Sequence, residues 1–129
     1  MATIQREFEI DTTPDAAWAA IRDVGRINQL VAFLGDVSVD GDHRTCDLGD
    51  QGKLKELIVS VDDTRKRLAY SILDSPFNLE HHHATMQIVA NGGTGAHFIW
   101  TTDVKPDEAV PALSEAIDHA VDSLKLNFR

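Results

Sequence analysis

At 129 residues and 14.2 kDa the chain has room for one domain and not for two, and residues 1–129 read as a single domain. Apolar and aromatic residues make up 43%, enough for a packed core, while 8 Gly and 4 Pro are too few for a collagen-like or low-complexity chain. Lys and Arg number 12 against 21 Asp and Glu, and the resulting charge of −9 repels phosphate backbones, so no nucleic-acid partner is expected. The longest apolar run, Leu30 to Leu34, falls far short of the ~20 residues of a membrane span, so no membrane insertion is expected either. Met1 to Glu7 holds no apolar block like that of a signal peptide, and a lone cysteine, Cys46, cannot form an internal disulfide. Together these point to a cytoplasmic protein.

Thr3 to Ile10 alternates with period two, Ile4, Phe8 and Ile10 against Thr3, Gln5, Glu7 and Glu9, which predicts a half-buried strand with Arg6 as the exception on its apolar face. Thr13-Pro14-Asp15 then supplies a capping hydroxyl, a proline suited to the first helical position and an acid at the positive dipole end. Ala17, Trp18, Ile21 and Val24 follow at helical spacing up to Gly25. Ile27, Leu30, Val31 and Leu34 repeat it up to Gly35, predicting a second short helix.

From residue 36 the pattern changes to short β-rich runs: Asp36–Asp40, His43–Leu48, Gly52–Val61, Arg67–Asp74, Leu79–Ala90 and Ala96–Val104. Turn residues separate them, among them Gly49-Asp50-Gln51, Ser75-Pro76-Phe77 and Asn91 to Gly95. Beyond Pro106, Val110, Leu113, Ile117, Ala120, Val121, Leu124 and Phe128 form one stripe of a long amphipathic helix. The sum is an α+β architecture: a seven-stranded antiparallel curved sheet wrapped around a long C-terminal helix, with two short helices after the first strand. A sheet with one apolar face must be covered. A curved sheet closed over a single helix leaves space that side chains do not fill, so a cavity is expected.

The order of these elements, with TTPDAAWAAIRD (Thr12 to Asp23), GKLKELIVSVDD (Gly52 to Asp63), RLAYSILD (Arg67 to Asp74) and WTTDVKPDE (Trp100 to Glu108), resembles the SRPBCC superfamily. These helix-grip proteins include START lipid-transfer domains, the birch-pollen-allergen fold and bacterial polyketide cyclase/dehydrase-like proteins. The resemblance covers essentially the whole chain and implies a hydrophobic tunnel between sheet and final helix that holds a small apolar or aromatic ligand. It does not choose among binders, transporters and enzymes, because one fold hosts many functions.

If Asn91 to Gly95 is a hairpin loop, Ala90 faces Ala96, Met86 faces Trp100 and His83 faces Asp103. His82, Ala84, Met86, Ile88, Phe98 and Trp100 then share the apolar, inward face. Leu54, Ile58, Leu68, Tyr70 and Ile72 also face inward, because Lys53, Lys55 and Arg67 belong in water, and Glu56 follows them in. A one-residue change in the 75–78 connection, or a bulge in the strand after it, would turn His81 and His83 inward in place of His82.

The expected ligand wall is Trp18, Ile58, Ile72, Met86, Phe98, Trp100, Ile117 and Val121, with Glu56, Tyr70, His82, Glu80 and Arg6 as polar groups. His82 with Glu56 and Tyr70 would make an acid–base set for an aldol-type cyclisation or dehydration. The plain alternatives are a His82 bonded to backbone or water, a Glu56 paired with Arg6, and Trp18 and Trp100 serving only as core. The His81-His82-His83 run lacks zinc-module spacing, so no metal is expected, and a His83–Asp103 hydrogen bond is the better reading. Gly92-Gly93-Thr94-Gly95 joins two strands and lacks a phosphate loop's Lys-Ser/Thr; Cys46 reads as a buried thiol. No cofactor is expected, the partner is a hydrophobic small molecule, and nothing separates a monomer from a homodimer. Two functions follow: carrier or sensor of that molecule, or a polyketide cyclase/dehydrase-type enzyme.

Overall fold

The structure, a computed structural model, describes residues 1–128. Its first strand, β1 (Ala2–Ile10), buries Ile4, Phe8 and Ile10 as the alternation requires. Helix α1 (Pro14–Arg22) starts on Thr13, whose Oγ1 accepts the Ala16 N–H at 3.3 Å, and buries Ala17, Trp18 and Ile21. Strands β2 (Val37–Asp40), β3 (His43–Asp47), β4 (Lys53–Asp62), β5 (Arg67–Asp74), β6 (His81–Ala90) and β7 (Ala96–Lys105) follow, and α2 (Val110–Asn127) ends the fold. All seven strands lie antiparallel in one sheet in the order β1-β7-β6-β5-β4-β3-β2, with α2 across its concave face. This is the helix-grip fold. Among the described residues no helix is long and apolar enough to cross a membrane.

The β6–β7 register pairs Ala90 with Ala96, Met86 with Trp100 and His83 with Asp103, without a break. Gly95 is needed at this hairpin because a Cβ there would come within 2.5 Å of the Ile10 carbonyl oxygen. Two register shifts do occur, both between β4 and β5. They leave Val59 and Leu73 without a partner and turn both outward, at 50% and 55% exposure, which sharpens the local twist.

The second short helix is the main correction to the reading of the chain. A 3₁₀ helix spans Val24–Gln29, and residues 30–35 are irregular. Here α2 takes over the backbone. The Leu30 carbonyl accepts from Ser123 Oγ at 2.8 Å and Asn127 Nδ2 at 3.0 Å, and Ser123 Oγ accepts the Ala32 N–H at 2.9 Å. Single turns survive, with the Leu30 and Val31 N–H groups donating to the Ile27 carbonyl, but the capture of the Leu30 carbonyl and the Ala32 N–H by α2 side chains stops a regular helix from continuing.

Two surface expectations also change. Arg6 leaves the pocket: it reaches over the sheet edge to α2, with Nε 2.6 Å from Asp118 Oδ1. Asp103 accepts from Thr3 Oγ1 at 2.7 Å rather than from His83. On the outer face His97 lies between Glu9 (2.5 Å) and Glu7 (2.9 Å), whose hydrogen bonds raise its pKa above the ordinary histidine value. No group of three potential metal ligands occurs among the described residues.

Candidate functional site

Helix α2 presents Leu113, Ile117, Val121 and Leu124 to the core, but it also carries Ala112, Ala116 and Ala120 at four-residue spacing along one line. These methyl groups are too short to reach the sheet. Between them and β3–β7 lies a cavity of about 810 Å³, within the roughly 300–1,000 Å³ of small-molecule sites. Segment 27–34 closes one side, and Phe77 on the β5–β6 connection closes another.

Ile72, Met86, Trp100 and Ile117 lie on the cavity wall, as do Glu56, Tyr70 and His82. Four other residues expected there do not. Phe98 is fully buried against Phe8, their rings stacked with centroids 4.8 Å apart. The Trp18 indole N–H turns away to Asp63 Oδ1 at 2.9 Å, Val121 packs into the core, and half-buried Ile58 sits beside the Val59 bulge. Glu80 is outside, 3.9 Å from Lys105 Nζ.

The polar floor is a cross-strand row. Register sets Arg44 of β3 opposite Glu56 of β4, and Glu56 opposite Ile72 of β5. Arg44 is the residue that sequence reasoning missed. Its Nε donates to Glu56 Oε1 at 2.8 Å and its Nη1 to the Val24 carbonyl at 3.2 Å, with both side chains only 4% exposed. Burial works against the Arg44 charge, but the Glu56 carboxylate more than offsets it and holds the guanidinium above the usual arginine value. Cys46 donates to Glu56 Oε1 across 3.8 Å; burial, then the Glu56 charge, push this thiol up to about 12, so it is an inert filler.

Next in the row, His82 is 3% exposed while His81 stands outside. The β5–β6 ladder stops at Tyr70–Ala84, and beyond it the Ile72 N–H donates to His82 Nδ1 at 2.9 Å. Ser71 Oγ closes the turn by donating to the His82 carbonyl. A backbone amide can only donate, so Nδ1 carries the lone pair and the ring proton sits on Nε2. Burial first, then the neighbouring His83 and His81, hold the imidazole down to about 4, and it is neutral at pH 7. Among the described residues Nε2 has no partner and no buried side-chain polar atom goes unsatisfied, so this N–H opens onto the cavity that His82 lines. The same reasoning applies to Arg44 Nη2 and Glu56 Oε2.

Tyr70 is buried with its ring 5.6 Å from that of His82, and Arg44 lies 5.7 Å from its centroid. Its hydroxyl accepts from Trp100 Nε1 at 3.2 Å and so keeps its own proton to donate. Burial, then the Glu56 charge, raise its pKa and keep it a phenol. The floor therefore offers N–H and O–H donors and one free carboxylate oxygen.

NMR of ¹⁵N-labelled histidine tests this placement: at pH 7 His82 should be neutral with its proton on Nε2, and should stay neutral until near pH 4. An ordinary midpoint near 6.5 or an Nδ1 proton would contradict it. The unfolded chain takes up this proton near 6.5 and the folded one only near 4. The His82 contribution to stability is thus complete above about pH 6.5 and is lost progressively as pH falls toward 4.

A sheet gripping a helix around an apolar-walled cavity with a small polar floor defines a class of small-cavity, helix-grip proteins. The chain belongs, over residues 1–129, to the family described as polyketide cyclase / dehydrase and lipid transport. Comparison with curated proteins gives no match. Among solved structures, XoxI from Bacillus cereus is similar with a TM-score of 0.91 at 18% identity, covering 99% of this chain and 96% of that one. An uncharacterised Bacillus thuringiensis protein has a TM-score of 0.91 at 17% identity with 98% of both chains covered. A Thermobifida fusca protein has a TM-score of 0.85 at 22% identity, covering 97% of this chain and 91% of that one. At such identities the likeness is one of fold.

Proposed function

We propose that the protein binds a hydrophobic small molecule, lipid-like, polyketide or aromatic, between sheet and α2, as a carrier or sensor. The observation that carries this reading is the cavity itself: apolar walls of Ile72, Met86, Leu113 and Ile117 around a few convergent polar groups. The family description spans both catalysis and transport. Carriage is favoured because His82 turns no lone pair to the cavity and the carboxylate on the cavity floor, Glu56, is held by Arg44. A general base at His82 would need the Nδ1 lone pair, which the Ile72 N–H occupies. The buried thiol of Cys46 suits the reducing cytoplasm, where we place the protein.

Mass spectrometry of organic extracts from natively purified protein tests this. An apolar compound present in stoichiometric amount and released on unfolding is the expected result. Turnover of a cyclisable poly-β-keto substrate that is lost in Tyr70→Phe and Glu56→Gln would instead establish the enzyme.

A further inference from the structure

The cavity floor carries a selection by charge that the apolar walls do not. We infer that the ligand is uncharged and sets an acceptor oxygen, of a carbonyl, ester or ether, against the floor, and that Glu56 is the residue that turns carboxylates away. The inference rests on the proposed binding function and narrows its ligand class.

Donors dominate the floor. Arg44 Nη2 and His82 Nε2 have no partner among the described residues and open onto the cavity, and the Tyr70 hydroxyl retains its proton after accepting from Trp100. Glu56 Oε2 is the free acceptor of the row. A ligand end rich in acceptors matches this set, and one rich in donors leaves N–H groups facing each other.

Charge decides the rest. A guanidinium in an apolar cavity would ordinarily recruit a carboxylate in bidentate fashion. Here Glu56 already takes Nε at 2.8 Å, so the pair is neutral as a unit, and an incoming carboxylate would have to share Arg44 with a buried like charge. His82 is neutral and adds no positive charge. Glu115 and His119 of α2, 3.9 Å apart at the rim, are 78% and 69% exposed, and solvent screens both. A cation fares no better, since Arg44 already neutralises Glu56 and a second positive charge at Oε2 would lie beside the guanidinium.

The experiment is displacement of a neutral fluorophore, N-phenyl-1-naphthylamine, from the wild-type chain at pH 8 by three ligands of matched chain length. Methyl decanoate is expected to displace it at concentrations at least about tenfold lower than either decanoate or decylammonium, each of which must bury an unpaired charge. Decanoate matching or outcompeting the ester overturns the inference while leaving the binding function intact; failure of the fluorophore to bind removes the binding function on which it rests. Glu56→Gln keeps an oxygen for Arg44 Nε but removes the negative charge. It should raise decanoate affinity relative to that of the ester about tenfold or more. An unchanged relative decanoate affinity in a folded Glu56→Gln protein also overturns the assignment. Should that variant not fold, the wild-type series still decides between neutral and charged ligands.

Discussion

Glu56→Leu is expected to lower the free energy of unfolding by about 3–5 kcal/mol, because it leaves the Arg44 guanidinium buried without its counter-charge. For a domain of this size that corresponds to a fall of roughly 10–20 °C in melting temperature. Both side chains are 4% exposed, and the Arg44 planar group also holds the Val24 carbonyl, which ties the guanidinium in place. Arg44→Leu should cost less. An orphaned carboxyl can take up a proton, whereas a guanidinium cannot give one up at any accessible pH. The double variant Arg44→Leu/Glu56→Leu should recover most of the loss, as apolar replacement of a buried pair usually does. Thermal and urea unfolding of the three variants measure this. A Glu56→Leu cost below about 1 kcal/mol would place the pair in the range of exposed ion pairs, solvated through the cavity rather than buried.

Ala116→Trp should weaken ligand binding by about one to two orders of magnitude with little effect on folding. Ala116 is half-buried on α2 and faces the cavity, midway along the line that runs from Ala112 to Ala120. An indole there occupies the volume a ligand would take, and its edge can reach solvent at the rim. An overlap costing about 2–3 kcal/mol weakens binding by roughly 30- to 150-fold. Fluorescence titration with N-phenyl-1-naphthylamine reads the affinity and urea unfolding reads the stability. Unaltered binding in the folded variant would mean that the ligand sits elsewhere.

Much of this was legible in the sequence, and the failures have physical reasons. The period-two alternation of β1 and the short loop at Asn91 to Gly95 determine register, and register determines which of three consecutive histidines turns inward. Arg44 was overlooked because an isolated arginine reads as solvated. Yet a tight turn at Gly49-Asp50-Gln51 sets Arg44 opposite Glu56, and this pairing is what admits both charges to the interior. Arg6 lies on the inner face as its parity requires, but β1 is an edge strand and its long side chain escapes to Asp118.

Trp18, Phe98 and Val121 are buried as their apolar character demands, but burial does not distinguish wall from core. That distinction comes from α2, where Ala112, Ala116 and Ala120 open the space and Val121 and Leu124 close it. The 27–34 segment has helical spacing of its apolar residues, yet side chains nearly a hundred positions away capture its carbonyl and amide groups. A local pattern cannot show such a capture.

NMR mapping of a bound apolar probe tests the central claim most directly. Added to ¹³C-methyl-labelled protein, N-phenyl-1-naphthylamine should saturate at one equivalent. It should shift the methyls of Ile72, Met86, Leu113 and Ile117, together with the Trp100 indole, all of which face the cavity. The methyls of Val59 and Leu73, on the outer side of the sheet, should stay in place. Shifts confined to those outer methyls, or no saturable shift at all, would contradict a ligand site between sheet and helix.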